Sequence, residues 1–246
     1  MPVPQTTHLT RATDGLYSVF VRYPAFRHRA DCPHCAAQPG WREIFDRPIR
    51  QLTASNLNDL AASVLIPGVD VDELKHFLPR LLELHLKGEL AADSEALFFT
   101  LTRGGWRSWP GAEVAALDRW LRAYWQAVLS DVALLSAFEV ERGLCAIAQA
   151  VDDLRGYLNT WRSSSPSPGP THLAHFIIAT NDARRKRGRL RDPFWDNRPT
   201  QLAQVVAWLA DPVTRDNLEE AFFRDADPEN EYYLALAVDL LAEEGI

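Results

Sequence analysis

Cysteine is scarce in this chain, with three residues among 246. The opening MPVPQTTHLTRATDG holds no apolar core of a secretory signal. An odd number of thiols without an export signal argues against a disulfide framework, so the expected compartment is the reducing cytoplasm. Long apolar runs are also missing. Nothing approaches the roughly 18 uninterrupted apolar residues of a membrane span. The most apolar stretch, 112–149, carries Glu113, Asp118, Arg119, Arg122, Asp131, Glu139, Glu141 and Arg142, and reads as a helix pair of a soluble protein. Positive charge is in deficit: 26 Lys and Arg against 33 Asp and Glu give a net charge of −7. That is the opposite sign to a protein whose main task is coating nucleic acid. Familiar catalytic signatures are absent too. There is no G-x-S-x-G, no phosphate-binding P-loop, no G-x-G-x-x-G and no H-E-x-x-H. The motifs therefore decide neither for nor against an enzyme.

Hydrophobic residues make up 47 % of the chain and charged residues 24 %, ordinary values for a globular protein with a sizeable core. No useful β-alternation follows residue 24. Residues 1–13 are polar and expected to be loose, and 16–23 are too short to assign. Residues 24–50, with Pro24, Pro33, Pro39, Gly40 and Pro48, read as an irregular segment of unusual length. Helical spacing then takes over. It begins with Leu57, Leu60, Ala61, Val64 and Leu65 behind the candidate caps Ser55 and Asn56. A second helix starts at Asp70, with a kink or break expected before Pro79 and a stop at Gly88. Further helices are expected over 94–102, over 112 to about 130, and from there to Trp161. In the last third Asp192-Pro193, Asp211-Pro212 and Asp227-Pro228 each set a capping acceptor before a proline suited to a first helical turn. The expected fold is all-α: stacked antiparallel helical pairs, irregular and repeat-like, behind an irregular N-terminal segment. SSSPSPGP, 163–170, reads as a linker between an N-terminal helical region, 1–162, and a C-terminal one, 171–246.

The sharpest chemical feature is RADCPHCAAQPG, 29–40, which holds Cys32 and Cys35. Three readings stand side by side. Cys-Pro-His-Cys matches the tetrapeptide of oxidising thiol–disulfide enzymes, but those need a preceding strand and a following helix, and Pro39-Gly40 stops any helix within a turn. A Cys-Pro-x-Cys turn also suits a zinc knuckle. Zinc asks for four ligands and no second C-x2-C exists, so histidines must complete the site. His76 is the preferred third ligand, and His28, His34, His172 and His175 are candidates for the fourth. The third reading is two reduced, packed thiols. Cys145, on an apolar helical face in GLCAIAQA, reads as a core thiol.

Across residues 23–84 the stretches YP, CPHC, RPIRQLTASNLNDLAASVL and VDELKHFLPRLLEL follow one another. This pattern resembles a family of uncharacterised bacterial proteins with a CPxC segment followed by P-[IL]-R-x-L and H-F-L-P-R elements. The resemblance implies no activity. It implies that Cys32, Cys35 and His76 belong to one module.

RRKRGRLR, 184–191, is either an anion-binding patch built on Arg184, Arg185, Lys186 and Arg187 or a solvated connector. WRSWP (106–110) and FWDNRP (194–199) pair aromatics with arginine and are either packing anchors or contact loops. Together these readings favour a cytoplasmic helical binding or scaffold protein. Its expected partner is another protein and not a membrane, and Cys32, Cys35 and His76 are the candidate ligands of a structural zinc. The alternatives are a thiol- or metal-dependent enzyme centred on Cys32 and Cys35, and nucleic-acid binding through 184–191.

Overall fold

The computed structural model describes residues 3, 6–24, 44, 47–58, 70–131, 137–164, 168–187, 190–224 and 227–243. The fold is all-α, with no strand among the described residues. Two compact units divide the chain, Met1–Tyr124 and Trp125–Ile246. No helix among the described residues is long and apolar enough to cross a membrane.

The first unit begins with α1 (Thr7–Phe20), where a loose segment was expected. Leu9, Ala12, Thr13, Leu16, Tyr17 and Phe20 form its buried stripe, and Thr6 caps it by accepting from the Leu9 N–H at 3.2 Å. This three–four spacing lies in the sequence, but polar residues and Gly15 interrupt it. A short helical stretch at 54–58 is capped by Thr53, not by Ser55 or Asn56. Thr53 Oγ1 accepts from the Asn56 N–H at 3.3 Å, and Asn56 Oδ1 accepts from the Thr53 N–H at 3.0 Å.

α2 (Val71–Leu86) starts at Asp70, whose side chain accepts from the Asp72 N–H at 2.7 Å. Of the kink or break expected near Pro79, there is no break: the helix runs on through the proline. Leu74, Phe77, Leu78, Leu81 and Leu82 are all buried, and their burial outweighs the roughly 3 kcal/mol cost of an internal proline. α2 stops where expected. Gly88 has φ 69°, its N–H reaches the His85 carbonyl at 2.9 Å, and the Glu89 N–H reaches Leu84 at 3.1 Å. These are the paired bonds of a Schellman stop. α1 packs on α2. α3 (Ser94–Arg103), a 3-10 turn at Trp106–Ser108 and α4 (Gly111–Leu129) follow. Trp120 and Tyr124 of α4 stack 5.5 Å apart beside Phe98, and the Trp120 Nε1–H donates to Thr13 Oγ1 at 3.1 Å.

In the second unit the expected helix to Trp161 is two helices, α5 (Ala137–Ala150) and α6 (Arg155–Arg162). Side chains take up the carbonyls freed between them. Arg198 donates to Ala148 at 2.6 Å and Val151 at 2.7 Å, and Gln201 donates to Val151 at 3.1 Å. α7 (Gly169–Arg187), α8 (Pro199–Leu209), α9 (Pro212–Arg224) and α10 (Pro228–Glu243) complete the unit, and α7 packs on α5 and α10. Of the expected linker, 165–167 lie outside the described residues; beside it the Trp161 Nε1–H donates to the Gly169 carbonyl at 3.0 Å. Trp161 also stacks on Trp208 of α8, 5.6 Å between ring centres and 26° between planes. Each Asp-Pro pair caps as expected: Asp192, Asp211 and Asp227 accept from the N–H two residues on at 2.9, 3.0 and 3.0 Å. Buried Glu141 holds the entry to the first of them, accepting from the Arg191 and Asp192 N–H groups at 2.7 and 2.9 Å.

Candidate functional site

A cleft of about 550 Å3 opens in the first unit. Its walls come from α1 (Tyr17, Phe20), the turn after it (Val21, Tyr23), residues 47–50, and α2 (His76, Pro79). The stretches at residues 23–24, 48–52 and 76–80 of the family-like pattern thus contribute Tyr23, Pro48, Ile49, Arg50, His76 and Pro79 to one place.

A buried ionic cluster fixes the Tyr23 side. Pro24 prevents the chain from continuing α1, and Tyr23 turns back with its N–H 3.1 Å from the Phe20 carbonyl. Its hydroxyl donates to Glu113 Oε1 at 2.5 Å, an oxygen that Arg22 also reaches. Lys75 Nζ lies 3.2 Å from Glu113 Oε2 and donates to the Tyr23 hydroxyl at 3.1 Å. The ammonium sits 4.8 Å from the centre of the Tyr23 ring and 4.6 Å from that of Trp109. The Glu113 side chain is 0 % exposed. Burial alone would raise its pKa, but the Tyr23, Arg22 and Lys75 hydrogen bonds outweigh that and hold it below the ordinary value.

A second network fixes Tyr17, another wall residue. The Tyr17 hydroxyl donates to Glu83 at 2.5 Å, and Arg80 donates to Glu83 and to the Leu52 carbonyl, both at 2.7 Å. Lys87 adds a bond at 2.9 Å. Burial pushes the Glu83 carboxyl up, but the bonds from Tyr17, Lys87 and Arg80 prevail and bring it to about 2. The Arg50 guanidinium covers the Tyr17 ring at 3.8 Å and pairs with Asp14 at 2.7 Å.

His76 follows Lys75 on α2. Its Nδ1 lies 2.6 Å from the Tyr23 carbonyl oxygen. A carbonyl only accepts, so Nδ1 carries the proton and Nε2 keeps its lone pair. Burial lowers the His76 pKa against the smaller opposing effect of that hydrogen bond, and favours the neutral ring. Neutral imidazole with Nδ1–H held by a carbonyl is the form that ligates metal through Nε2. Cys32, Cys35, His28 and His34 lie outside the described residues. Among the described residues no three His, Cys, Asp or Glu side chains group as a metal site.

The other candidates fall in the second unit. His172 is buried in α7, and His175 packs on the Tyr233 ring at 4.1 Å between centres. Arg184, Arg185, Lys186 and Arg187 form the last turn of α7 rather than a connector, a favourable place for cations against the helix dipole. Arg184 reaches back to the Ile177 carbonyl at 3.4 Å; the side chains of 185–187 lie outside the described residues. Cys145 is buried as expected. The tryptophans of the aromatic–arginine loops are packing anchors. Trp106, Trp109 and Trp195 are buried, Arg107 stacks on Trp106 and pairs with Asp118, and Arg198 serves α5. Sequence reasoning missed Tyr17, Tyr23, Arg50 and Glu113 as parts of a site. The family-like pattern contains Tyr23 and Arg50 but implied a shared module only for Cys32, Cys35 and His76. No family model, curated protein or solved structure matches the chain.

Proposed function

We propose that the protein is a helical binding protein that receives a segment of another protein in the cleft of its first unit. The observation that carries this reading is the cleft itself. Its volume lies within the range of natural binding sites, its walls are mostly aromatic and aliphatic, and few polar groups converge on it. Val21 stands 80 % exposed on its wall. The reading is tested by placing a photo-crosslinking residue at Val21 in cells, with Asp239, exposed on α10, as the control position. The expected result is a discrete crosslinked protein from position 21 and none from 239. The same products from both positions, or none from either, would sink the reading.

A structural zinc site at Cys32, Cys35 and His76 is the second part of the proposal. The protonated Nδ1 of His76 supports it, because Nε2 is left as the ligating nitrogen. Tyr23 and Arg47, before and after the stretch that carries both cysteines, line the cleft with His76. Metal analysis of reduced, tag-free protein is expected to give one zinc per chain. Two thiols should react only after chelation, and His76→Ala should lose the metal. Metal-free protein with two ordinary thiols would remove the zinc and leave the cleft.

A further inference from the structure

The acidity of the chain is not spread evenly. Residues 211–246 hold 11 of the 33 Asp and Glu and two of the 26 Lys and Arg. This stretch, which supplies α9 and α10, carries a formal charge of −9, against +2 for the other 210 residues. Both of its arginines are already matched on α9, Arg215 with Glu219 at 3.4 Å and Arg224 with Glu220 at 2.6 Å. Glu229 and Glu231 stand in the first turn of α10 and make no ion pair among the described residues. Burial lowers the His175 pKa against the opposing effect of Glu229, so that ring supplies no counter-charge at neutral pH. Asp225 and Ala226, between the helices, lie outside the described residues, and neither is basic.

The same end of the helix pair exposes aromatic surface. α9 buries Thr214 and Leu218, and α10 buries Leu234, Ala237 and Leu241. Phe223 and Tyr232 lie off these stripes, each within about a turn of the connection. They stand 82 % and 64 % exposed. A ring face and a carboxylate attract the same group, a guanidinium or an ammonium, one through its quadrupole and the other through its charge. The charge also sets what is refused. Nucleic acid, an anionic lipid surface and a second copy of this hairpin are all repelled.

We infer that the connected end of α9 and α10 is a docking surface for a basic segment of another protein, one that sets arginine or lysine beside an apolar residue. The cation pairs with Glu229 and Glu231, and the apolar side chain covers Phe223 or Tyr232. Asp239 lies about two turns, or about 10 Å, further along α10 and outside this surface. The surface belongs to the second unit and stands whether or not the cleft of the first unit binds a partner.

The test is selection from a random peptide library displayed on phage, with the full chain immobilised, followed by binding measurements on synthetic winners. The expected winners carry Arg or Lys beside an apolar residue and bind more weakly in high salt. Phe223→Ser should weaken them about tenfold, the scale of covering one aromatic side chain. Glu229→Gln with Glu231→Gln should weaken them about threefold and flatten the salt dependence. Val21→Asp, in the cleft, should leave them unchanged. Unchanged helical circular dichroism checks the fold of each variant. Winners without a basic residue, winners indifferent to Phe223→Ser, or no enrichment would overturn the surface. Basic winners that follow the charge change but ignore both Phe223→Ser and Tyr232→Ser would reduce it to unspecific attraction and overturn it as well. Self-association in sedimentation that Phe223→Ser abolishes would make a second copy the occupant and overturn the assignment.

Discussion

Glu113→Ala should destabilise the first unit by about 3–5 kcal/mol in urea unfolding. The loss follows from what the carboxylate leaves behind. Lys75 is 8 % exposed, and among the described residues its ammonium without Glu113 keeps the Tyr23 hydroxyl, two aromatic faces and the distant Asp72 at 3.9 Å. A buried cation without its counter-charge costs far more than the pair itself contributes. The Tyr23 hydroxyl loses its acceptor in the same step. The double change Lys75→Met with Glu113→Gln should recover most of the loss, because Gln still accepts from Tyr23 and no buried charge remains. A coupling between positions 75 and 113 of about 2 kcal/mol or more is therefore expected from the cycle of Lys75→Met, Glu113→Gln and the two together. A cost for Glu113→Ala below about 1 kcal/mol would mean that the cluster is not closed to water. Tyr23 bonds to both Glu113 and His76, so Glu113→Ala should also loosen the imidazole.

Glu83→Gln should show a stability deficit that depends on pH. The folded carboxyl is held near 2 against an ordinary 4.5. A depressed carboxyl stabilises the fold above its unfolded pKa and loses that contribution as pH falls through the folded value. The wild-type protein should therefore exceed the variant by about 2–3 kcal/mol at pH 7, with the two curves converging between pH 4.5 and 2. Chemical denaturation across that range measures it. Parallel curves would show that Glu83 titrates as an ordinary carboxylate. Tyr17 should report the same contact from the other side, since burial and the Glu83 bond both raise its pKa.

The parts of the fold legible in the sequence are those governed by near neighbours. Asp192, Asp211 and Asp227 each bond two residues along the chain, so Asp-Pro alone announces the cap. Gly88 marks its stop in the same way. Pro79 left a kink and a break equally open, and the helix stays unbroken because the cost of a proline is local while the gain from Phe77, Leu78 and Leu81 depends on what α2 packs against. The cleft was hidden for a related reason. Its walls come from residues 17–23, 47–50 and 76–79, and no spacing rule joins them. Glu113 is hardest to foresee. In the sequence it is one of the charges that mark 112–149 as soluble, but its partners are Arg22, Tyr23 and Lys75, far back in the chain.

The stacked indoles of Trp161 and Trp208 have a spectroscopic consequence. Indoles fixed this close couple their electronic transitions, and Trp161, with Trp208 at 5.6 Å and Trp125 at 5.4 Å, is expected to give paired circular-dichroism bands of opposite sign. α6 supplies Trp161 and α8 supplies Trp208, so their share of the couplet vanishes once those helices part, even while the helices themselves survive. The second unit thus carries an intrinsic optical gauge of its tertiary packing.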